Sequence, residues 1–231
     1  SFARAVSRRR SLYLGLAATW IILAVGCVHA GRLPRPAAGF GFTEIAPIAY
    51  AMSQPGVILH YLRLAVWPAP LCFDYAWSVA RTAGAIVWPS AAIGWLLAAV
   101  WWAWRRRPAM GFLGAAFFLV LAPTSSLIPI RDLAFEHRMY LPLACVIIIM
   151  VVGGWEALQR LRMAASMRRQ AAAGLLSAAV GIFGVLTIRR NADYRSELAM
   201  WSDVVAQRPQ NARAHNNLAV ILGRQGEFDQ A

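Results

Sequence analysis

The stretch GAIVWPSAAIGWLLAAVWWAW, from Gly84 to Trp104, is followed at once by Arg105, Arg106 and Arg107. It carries no charge, and its length matches the roughly 20 apolar residues that an α-helix needs to cross the hydrocarbon core of a bilayer. An uncharged apolar run that ends in an arginine cluster is typical of a membrane span and its basic flank. The stretch therefore predicts a transmembrane helix.

Four further apolar blocks of similar length occur in the chain. The chain is 59% hydrophobic and 14% charged, whereas soluble domains carry about 25% charged residues. In lipid, only helices and closed barrels satisfy the backbone, and apolar blocks this long predict helices. We therefore predict an all-α fold, with a polytopic transmembrane helical bundle over residues 1–190. The five predicted spans cover residues 12–30, 84–104, 109–125, 141–158 and 171–188.

The basic residues are all arginines, and they give the chain a net charge of +13. They flank the apolar blocks, a pattern that indicates membrane topology and contact with lipid headgroups rather than binding of nucleic acid. The positive-inside rule places the clusters at residues 8–10, 105–107 and 160–169 in the cytoplasm. Residues 31–83, the loop at 131–140 and the C-terminal tail then lie on the other side.

Residues 44–68 alternate apolar and polar side chains. This pattern predicts interfacial helices, and we expect breaks at Pro55-Gly56 and at Pro68. Cys27, Cys72 and Cys145 lack the spacing of metal ligands, so we predict no metal site and no disulfide framework.

After Arg190 the sequence becomes polar, and its apolar residues recur at three- and four-residue steps, which predicts helices. The segment NARAHNNLAVILGRQGEFDQA, residues 211–231, has the spacing of a tetratricopeptide-type helical repeat. An ordinary amphipathic helical hairpin is the alternative. Such repeats need about three stacked copies, so we expect the chain to be a piece of a longer protein. The predicted packing positions within residues 191–231 are Leu218, Ala219, Leu222, Gly226, Phe228 and Ala231.

A second charged stretch, PTSSLIPIRDLAFEHRMYLPLA at residues 123–144, lies between two predicted spans. Charged residues at bilayer depth cost about 2.5–3.5 kcal/mol each, so such clusters face a cavity or the interface. Arginine suits the binding of phosphate, because its paired N–H donors match two oxygen atoms. A solvated loop in which Glu136 and Arg138 pair with each other is the alternative.

Two stretches carry a family resemblance. They are FEHRMYLPLA, with Pro123, Thr124, Ser125 and Ser126 upstream, and YLRLAVWPAPLCFDYAW at residues 61–77. Together with spans that are followed by repeats, they resemble the transmembrane and tetratricopeptide-repeat (TMTC-like) protein O-mannosyltransferases and their bacterial relatives.

The resemblance implies a GT-C type glycosyltransferase that moves a sugar from a polyprenyl-phosphate carrier to an acceptor, often a protein Ser or Thr. It implies no certain cofactor beyond this lipid-linked donor substrate. The family's catalytic acidic residue is expected upstream of this chain, so the catalytic residue here is unknown. By matching position, the candidates for binding the lipid phosphate are Glu136, His137, Arg138 and Tyr140, with Asp74 and Tyr75 as weaker ones.

The resemblance further implies a multi-pass protein of the bacterial inner membrane, with its repeats on the periplasmic side. Its expected partners are membrane lipid, the lipid-linked sugar and an acceptor protein held by the repeats. Two other functions stay open: a non-catalytic membrane-anchored repeat scaffold, and an enzyme that resembles O-antigen ligases or polymerases.

Overall fold

A computed structural model describes residues 10–30 and 44–225. The described residues form helices and no β-strand, which confirms the all-α prediction. A short 3-10 helix, Glu136–Met139, leads directly into the fifth α-helix. The α-helices are α1 (Arg10–Ala30), α2 (Pro47–Val66), α3 (Ala83–Arg106), α4 (Pro108–Leu121), α5 (Tyr140–Arg160), α6 (Ala165–Asp193), α7 (Glu197–Gln207) and α8 (Ala212–Gln225).

Within the described ranges, 3 helices are long and apolar enough to cross a membrane: Ala83–Arg106, Glu136–Arg160 and Ala165–Asp193. The protein is therefore a membrane protein by the length and composition of its helices. Helix α4 lies in the predicted span 109–125 but has only 14 residues, fewer than the roughly 20 that cross a bilayer. It ends just before Pro123, which has no N–H to continue the helix.

Helices α2, α3, α4 and α5 pack consecutively against one another. The α3–α4 pair is close because small residues of α4 face α3. A Cβ atom added at Gly111 would lie 2.3 Å from Trp104 Cα, and one at Gly114 would lie 2.6 Å from Val100 Cγ2. Small residues at such contacts let membrane helices approach closely. Helix α6 has no buried residue, as expected of a helix that faces lipid.

Helix α2 runs through Pro55 without a break, so the predicted interruption at Pro55-Gly56 is wrong. A proline inside a helix costs about 3 kcal/mol. Tyr50 and Tyr61, one on each side of the proline, are both 0% exposed. Burial of both large side chains in the core stabilises the continuous helix against this cost.

The loops at residues 67–82 and 122–135 lie at one end of the bundle, together with helices α7 and α8. Val204 of α7 and Ala214 of α8 are fully buried in the same apolar cluster as Cys72, Tyr75 and Met139. An ion pair of Arg107 with Glu156 joins the helices at the other end. The tail is therefore packed onto the loops of the membrane domain.

Helices α7 and α8 pack against each other as a hairpin. Ser196 caps α7, because its Oγ accepts from the backbone N–H of Ala199 at 3.1 Å. Of the predicted packing positions, Leu222 is buried and Leu218 and Ala219 are half-buried. Gly226, Phe228 and Ala231 lie outside the described residues, and the tetratricopeptide repeat stays a prediction.

Candidate functional site

Two separate segments of the chain meet at the loop end of the bundle. The hydroxyl of Tyr61 donates to the carbonyl of Phe135 at 3.0 Å and accepts from its N–H at 2.7 Å. One carboxylate oxygen of Glu136 accepts from the N–H of Cys72 and from the hydroxyl of Tyr75, both at 2.8 Å. Burial, and then the neighbouring Glu136, raises the pKa of Tyr75. Tyr75 therefore stays protonated as the donor in this pair.

Arg138 is buried beneath the loop, and 9% of it is exposed. One terminal nitrogen donates to the carbonyl of Leu133 at 3.0 Å, and to the carbonyl of Thr124 and the hydroxyl of Tyr50, both at 3.3 Å. The other terminal nitrogen donates to the carbonyl of Asp132. A buried charge needs such partners, and these hold the loop in its shape. A phosphate at this side chain would compete with these four oxygen atoms for the two terminal nitrogen atoms.

Arg213, from the first turn of α8, links two aspartates of the loops. Its guanidinium lies 3.3 Å from Asp74 Oδ2 and 2.8 Å from Asp132 Oδ1. The other Asp74 oxygen accepts from the N–H of Ala76 at 3.0 Å. This bond holds Ala76 at a φ of 42°, a left-handed conformation that alanine rarely adopts. Helix α8 is thus joined to both loops by charge.

Asn211 strengthens the same junction. Its side-chain oxygen accepts from the N–H of Ala214 at 3.2 Å, which caps α8. Its amide nitrogen donates to the carbonyl of Asp74 at 3.3 Å. Nearby, the ring of Phe73 packs edge-on against Phe135 and Trp201, with centroids 5.7 and 5.5 Å away.

A cavity of about 350 Å³ opens where these segments meet. Its walls come from residues 74–79, from residues 131–134 and from the start of α8. Its polar and aromatic lining consists of Asp74, Trp77, Arg131, Asp132, Gln210, Asn211 and Arg213.

His60 of α2 supports one wall of this cavity. Its ring lies 4.9 Å from that of Tyr75 and 4.9 Å from that of Trp77, centroid to centroid. Burial lowers the pKa of His60 to about 4, and the charges of Arg63 and Arg208 contribute to the same direction. The imidazole is therefore neutral near pH 7 and packs as an aromatic ring.

The structure places the six predicted phosphate-site residues in three settings. Asp74 lines the cavity, whereas Tyr75, Glu136 and Arg138 form the hydrogen-bonded layer beneath the loop. His137 and Tyr140 are exposed at the surface, and Tyr140 is 88% exposed. The role of all six in phosphate binding stays a prediction.

Sequence reasoning did not single out Trp77, Asn211 or Arg213 for the site. Trp77 matched the pattern of aromatic residues near span ends, and Asn211 and Arg213 lie in the segment predicted to be a repeat. The one available signal was the placement of the tail and both loops on the same side. Within residues 10–30 and 44–225, no group of three or more His, Cys, Asp or Glu side chains has the arrangement of a metal site.

The fold and the loop end together define an α-helical membrane protein whose C-terminal helices cover a polar cavity between its loops. The chain is 28% identical over 130 residues to the protein O-mannosyl-transferase Tmtc1 of Drosophila melanogaster, which covers 55% of this chain. The chain spans 14% of the length of that relative. No family model and no solved structure matches the chain. The similarity supports a distant TMTC-like relationship and suggests a membrane protein of glycosyltransferase type.

Proposed function

We propose that this chain forms the membrane part of a GT-C type glycosyltransferase. It moves a sugar from a polyprenyl-phosphate carrier to an acceptor, a protein Ser or Thr, outside the cytoplasm. In this reaction the bond between the sugar and the carrier phosphate breaks, and a bond between the sugar and the acceptor hydroxyl oxygen forms. The hydroxyl proton passes to a base, and the polyprenyl phosphate leaves.

One observation carries the proposal: the two stretches that resemble the family are built into one unit. Glu136 of the second stretch binds Cys72 and Tyr75 of the first, and Tyr61 binds Phe135. Glu136 is half-buried, and a carboxylate with two donors fixes its neighbours, because removing either side leaves unpaired polar groups that cost about 1–3 kcal/mol each where they are buried. Such a layer gives a donor-binding loop the rigidity that positioned chemistry needs.

The exposed residues of the loop are the ones that a lipid carrier reaches. His137 and Tyr140 lie at the surface where α5 begins, and both offer donors to a phosphate. Glu136 and Arg138 lie beneath them and hold the backbone that carries them. In the proposed enzyme, Arg138 acts through the shape of the loop, or it exchanges a carbonyl for a phosphate oxygen when the donor binds.

The proposed setting is the inner membrane of a bacterium. The arginine-rich end, which includes Arg105 and Arg160, faces the cytoplasm, as the positive-inside rule favours. The loop end with α7 and α8 then faces the periplasm, where the tail presents the acceptor protein.

The test uses the full-length protein in membranes with labelled polyprenyl-phosphate sugars. His137→Gln and Arg138→Lys are compared with Arg160→Lys, an exposed arginine at the other end of α5. We expect transfer to fall about tenfold or more in the first two variants, since loss of one charge-assisted contact costs about 1.5–3 kcal/mol. The Arg160→Lys variant should transfer sugar at the wild-type rate.

Expression and membrane insertion must be equal in all samples. Equal sugar transfer in the variants and in the wild type would show that the loop has a structural role and does not bind the donor. No transfer by the wild type with any donor would favour a repeat scaffold instead.

A further inference from the structure

The cavity under α8 has the size of a small-molecule site. Its volume of about 350 Å³ lies within the range of roughly 300–1,000 Å³ that is typical of ligand pockets. Two loops of the membrane domain form its walls, and α8 closes it through Asn211 and Arg213. Of the six residues predicted to bind phosphate, Asp74 alone lies in this lining.

The charges of this cavity are balanced. Arg213 is matched by Asp74 and Asp132, at 3.3 and 2.8 Å. Arg131 has Glu44 at 3.8 Å. A phosphate site presents an excess of N–H donors, whereas the arginines here are already paired with carboxylates. The ligand that fits this lining is uncharged.

The lining also offers hydrogen-bond groups of both kinds. Asp74 Oδ2 is buried and faces Arg213 at 3.3 Å, whereas the Asp132 side chain is partly exposed and remains an acceptor for a hydroxyl donor. The Arg213 side chain is 43% exposed, and its N–H groups remain accessible as donors. Carboxylates that accept and a guanidinium that donates together suit a ligand that is rich in hydroxyl groups.

Trp77 adds an aromatic side chain to the lining of the same cavity. Its ring packs against His60 at a centroid distance of 4.9 Å. Because this contact already fixes the Trp77 side chain, little conformational entropy is lost when a ligand binds. A pyranose ring has C–H groups that pack on an aromatic face and hydroxyls at its edge that need polar partners. The aromatic face and the polar edge of this cavity match the two parts of such a ring.

We infer that the cavity binds the ring of a neutral sugar. Trp77 packs under the ring, Asp132 and Arg213 bind its hydroxyls, and Asp74 holds Arg213 in place. The choice of a sugar among neutral hydroxylated molecules rests on the proposed function. Arg213 then determines specificity from the tail, so that α8 is a wall of the binding site as well as the start of a predicted protein-binding repeat.

The test is saturation-transfer NMR on the full-length protein in nanodiscs. The probes are methyl α-mannopyranoside, methyl α-glucopyranoside, N-acetylglucosamine and, as the charged probe, inorganic phosphate. We expect at least one neutral pyranoside to bind, and phosphate not to compete with it. Loss of an aromatic contact is worth about 1 kcal/mol, so Trp77→Leu should raise the Kd about fivefold.

The matched control is a second arginine on the same helix. Arg213→Gln should weaken sugar binding, whereas Arg224→Gln, an exposed residue near the end of α8, should leave it unchanged. Because Arg213→Gln also removes a link between α8 and the loops, hydrogen exchange on α8 checks that the helix stays docked. Trp77→Phe, which keeps an aromatic face, should restore most of the affinity.

Binding of phosphate but of no pyranoside would overturn the inference, as would sugar binding that Trp77→Leu and Arg213→Gln do not change. The transfer assay on the same samples separates the two proposals. Sugar transfer without pyranoside binding would support the glycosyltransferase and reject the cavity as a sugar site. Pyranoside binding without sugar transfer would support the cavity as a sugar site and reject the glycosyltransferase. Displacement of the probe by a polyprenyl-phosphate sugar assigns the ring to the donor, and displacement only by a glycosylated peptide assigns it to the acceptor.

Discussion

The side-chain amide of Asn211 donates to the backbone carbonyl of Asp74 at 3.3 Å, although the two residues are 137 positions apart in the chain. The same side chain caps α8 through the N–H of Ala214. One buried residue therefore both starts a helix of the tail and attaches it to a loop of the membrane domain.

Replacement of Asn211 should release this end of α8. We expect Asn211→Ala to destabilise the docked tail by about 1–3 kcal/mol, because a lost cap costs about 0.5–2 kcal/mol and a lost buried hydrogen bond about 1. Hydrogen exchange of residues 197–225 measures the effect. Asn211→Asp keeps the capping oxygen and loses only the donor, so its exchange rates should lie between those of Asn211→Ala and the wild type. Identical exchange in all three proteins would contradict the assignment.

Glu136 should tolerate an amide but not truncation. Glu136→Gln keeps an oxygen that accepts from Cys72 and Tyr75, whereas Glu136→Ala leaves both donors unpaired at about 1–3 kcal/mol each. Thermal unfolding in detergent should show a clear loss of stability for Glu136→Ala and a small one for Glu136→Gln. The control is Glu156→Ala, whose partly exposed ion pair with Arg107 is worth about 0–1 kcal/mol. A loss from Glu156→Ala as large as that from Glu136→Ala would argue against the buried layer.

The contact between α3 and α4 should reject any side chain at Gly111. Its added Cβ would lie 2.3 Å from backbone atoms of Trp104, so Gly111→Ala forces the helices apart and should cost about 1–3 kcal/mol. Gly153 of α5 has no atom within 4 Å of an added Cβ. Gly153→Ala should therefore be neutral or stabilising by up to about 1 kcal/mol, since alanine favours a helix. Urea or thermal unfolding of the two variants decides whether α3 and α4 pack this closely.

Acidification should weaken the wall of the cavity at His60. The pKa of His60 is lowered to about 4 in the folded protein, mainly by burial, from an ordinary value of 6.5. Between these values the unfolded chain binds a proton that the folded chain does not, so stability is full above pH 6.5 and falls as the pH drops toward 4. The fluorescence difference between the wild type and Trp77→Phe, recorded from pH 7.5 to 4, reports on this wall. His60→Asn should flatten the stability profile in that window, and an unchanged profile would contradict the burial of the imidazole.

The sequence predicted the helices more accurately than their contacts. Helix α3 differs from its predicted span by one or two residues at each end, because an uncharged run that meets three arginines leaves little freedom. Helix α6 continues to Asp193, past the predicted end at residue 188. Its arginine at position 190 is satisfied there by Asp193 and Asp203, at 3.2 and 3.1 Å. Such pairing with α7 is not visible in a local hydropathy pattern.

The site was predictable only in part, for a related reason. The loop at 131–140 stood out because charged residues between two spans are costly and therefore informative. Which of these residues face outward depends on packing, which the sequence does not show. Arg138, the residue best suited to bind phosphate, is buried and donates to four oxygen atoms of the protein. Arg213 gave no signal of its own, because a surface arginine on an amphipathic helix looks the same whether or not it meets two aspartates.

The burial of Val204 and Ala214 in the membrane domain's own apolar cluster has a mechanical consequence. Helices α7 and α8 are packed onto the membrane domain through buried side chains as well as being connected to it by the chain. The position of both helices is therefore set by the loops at residues 67–82 and 122–135. Substitutions at the Asn211 and Arg213 junction would then move α7 and α8 together relative to the membrane domain, without changing either helix.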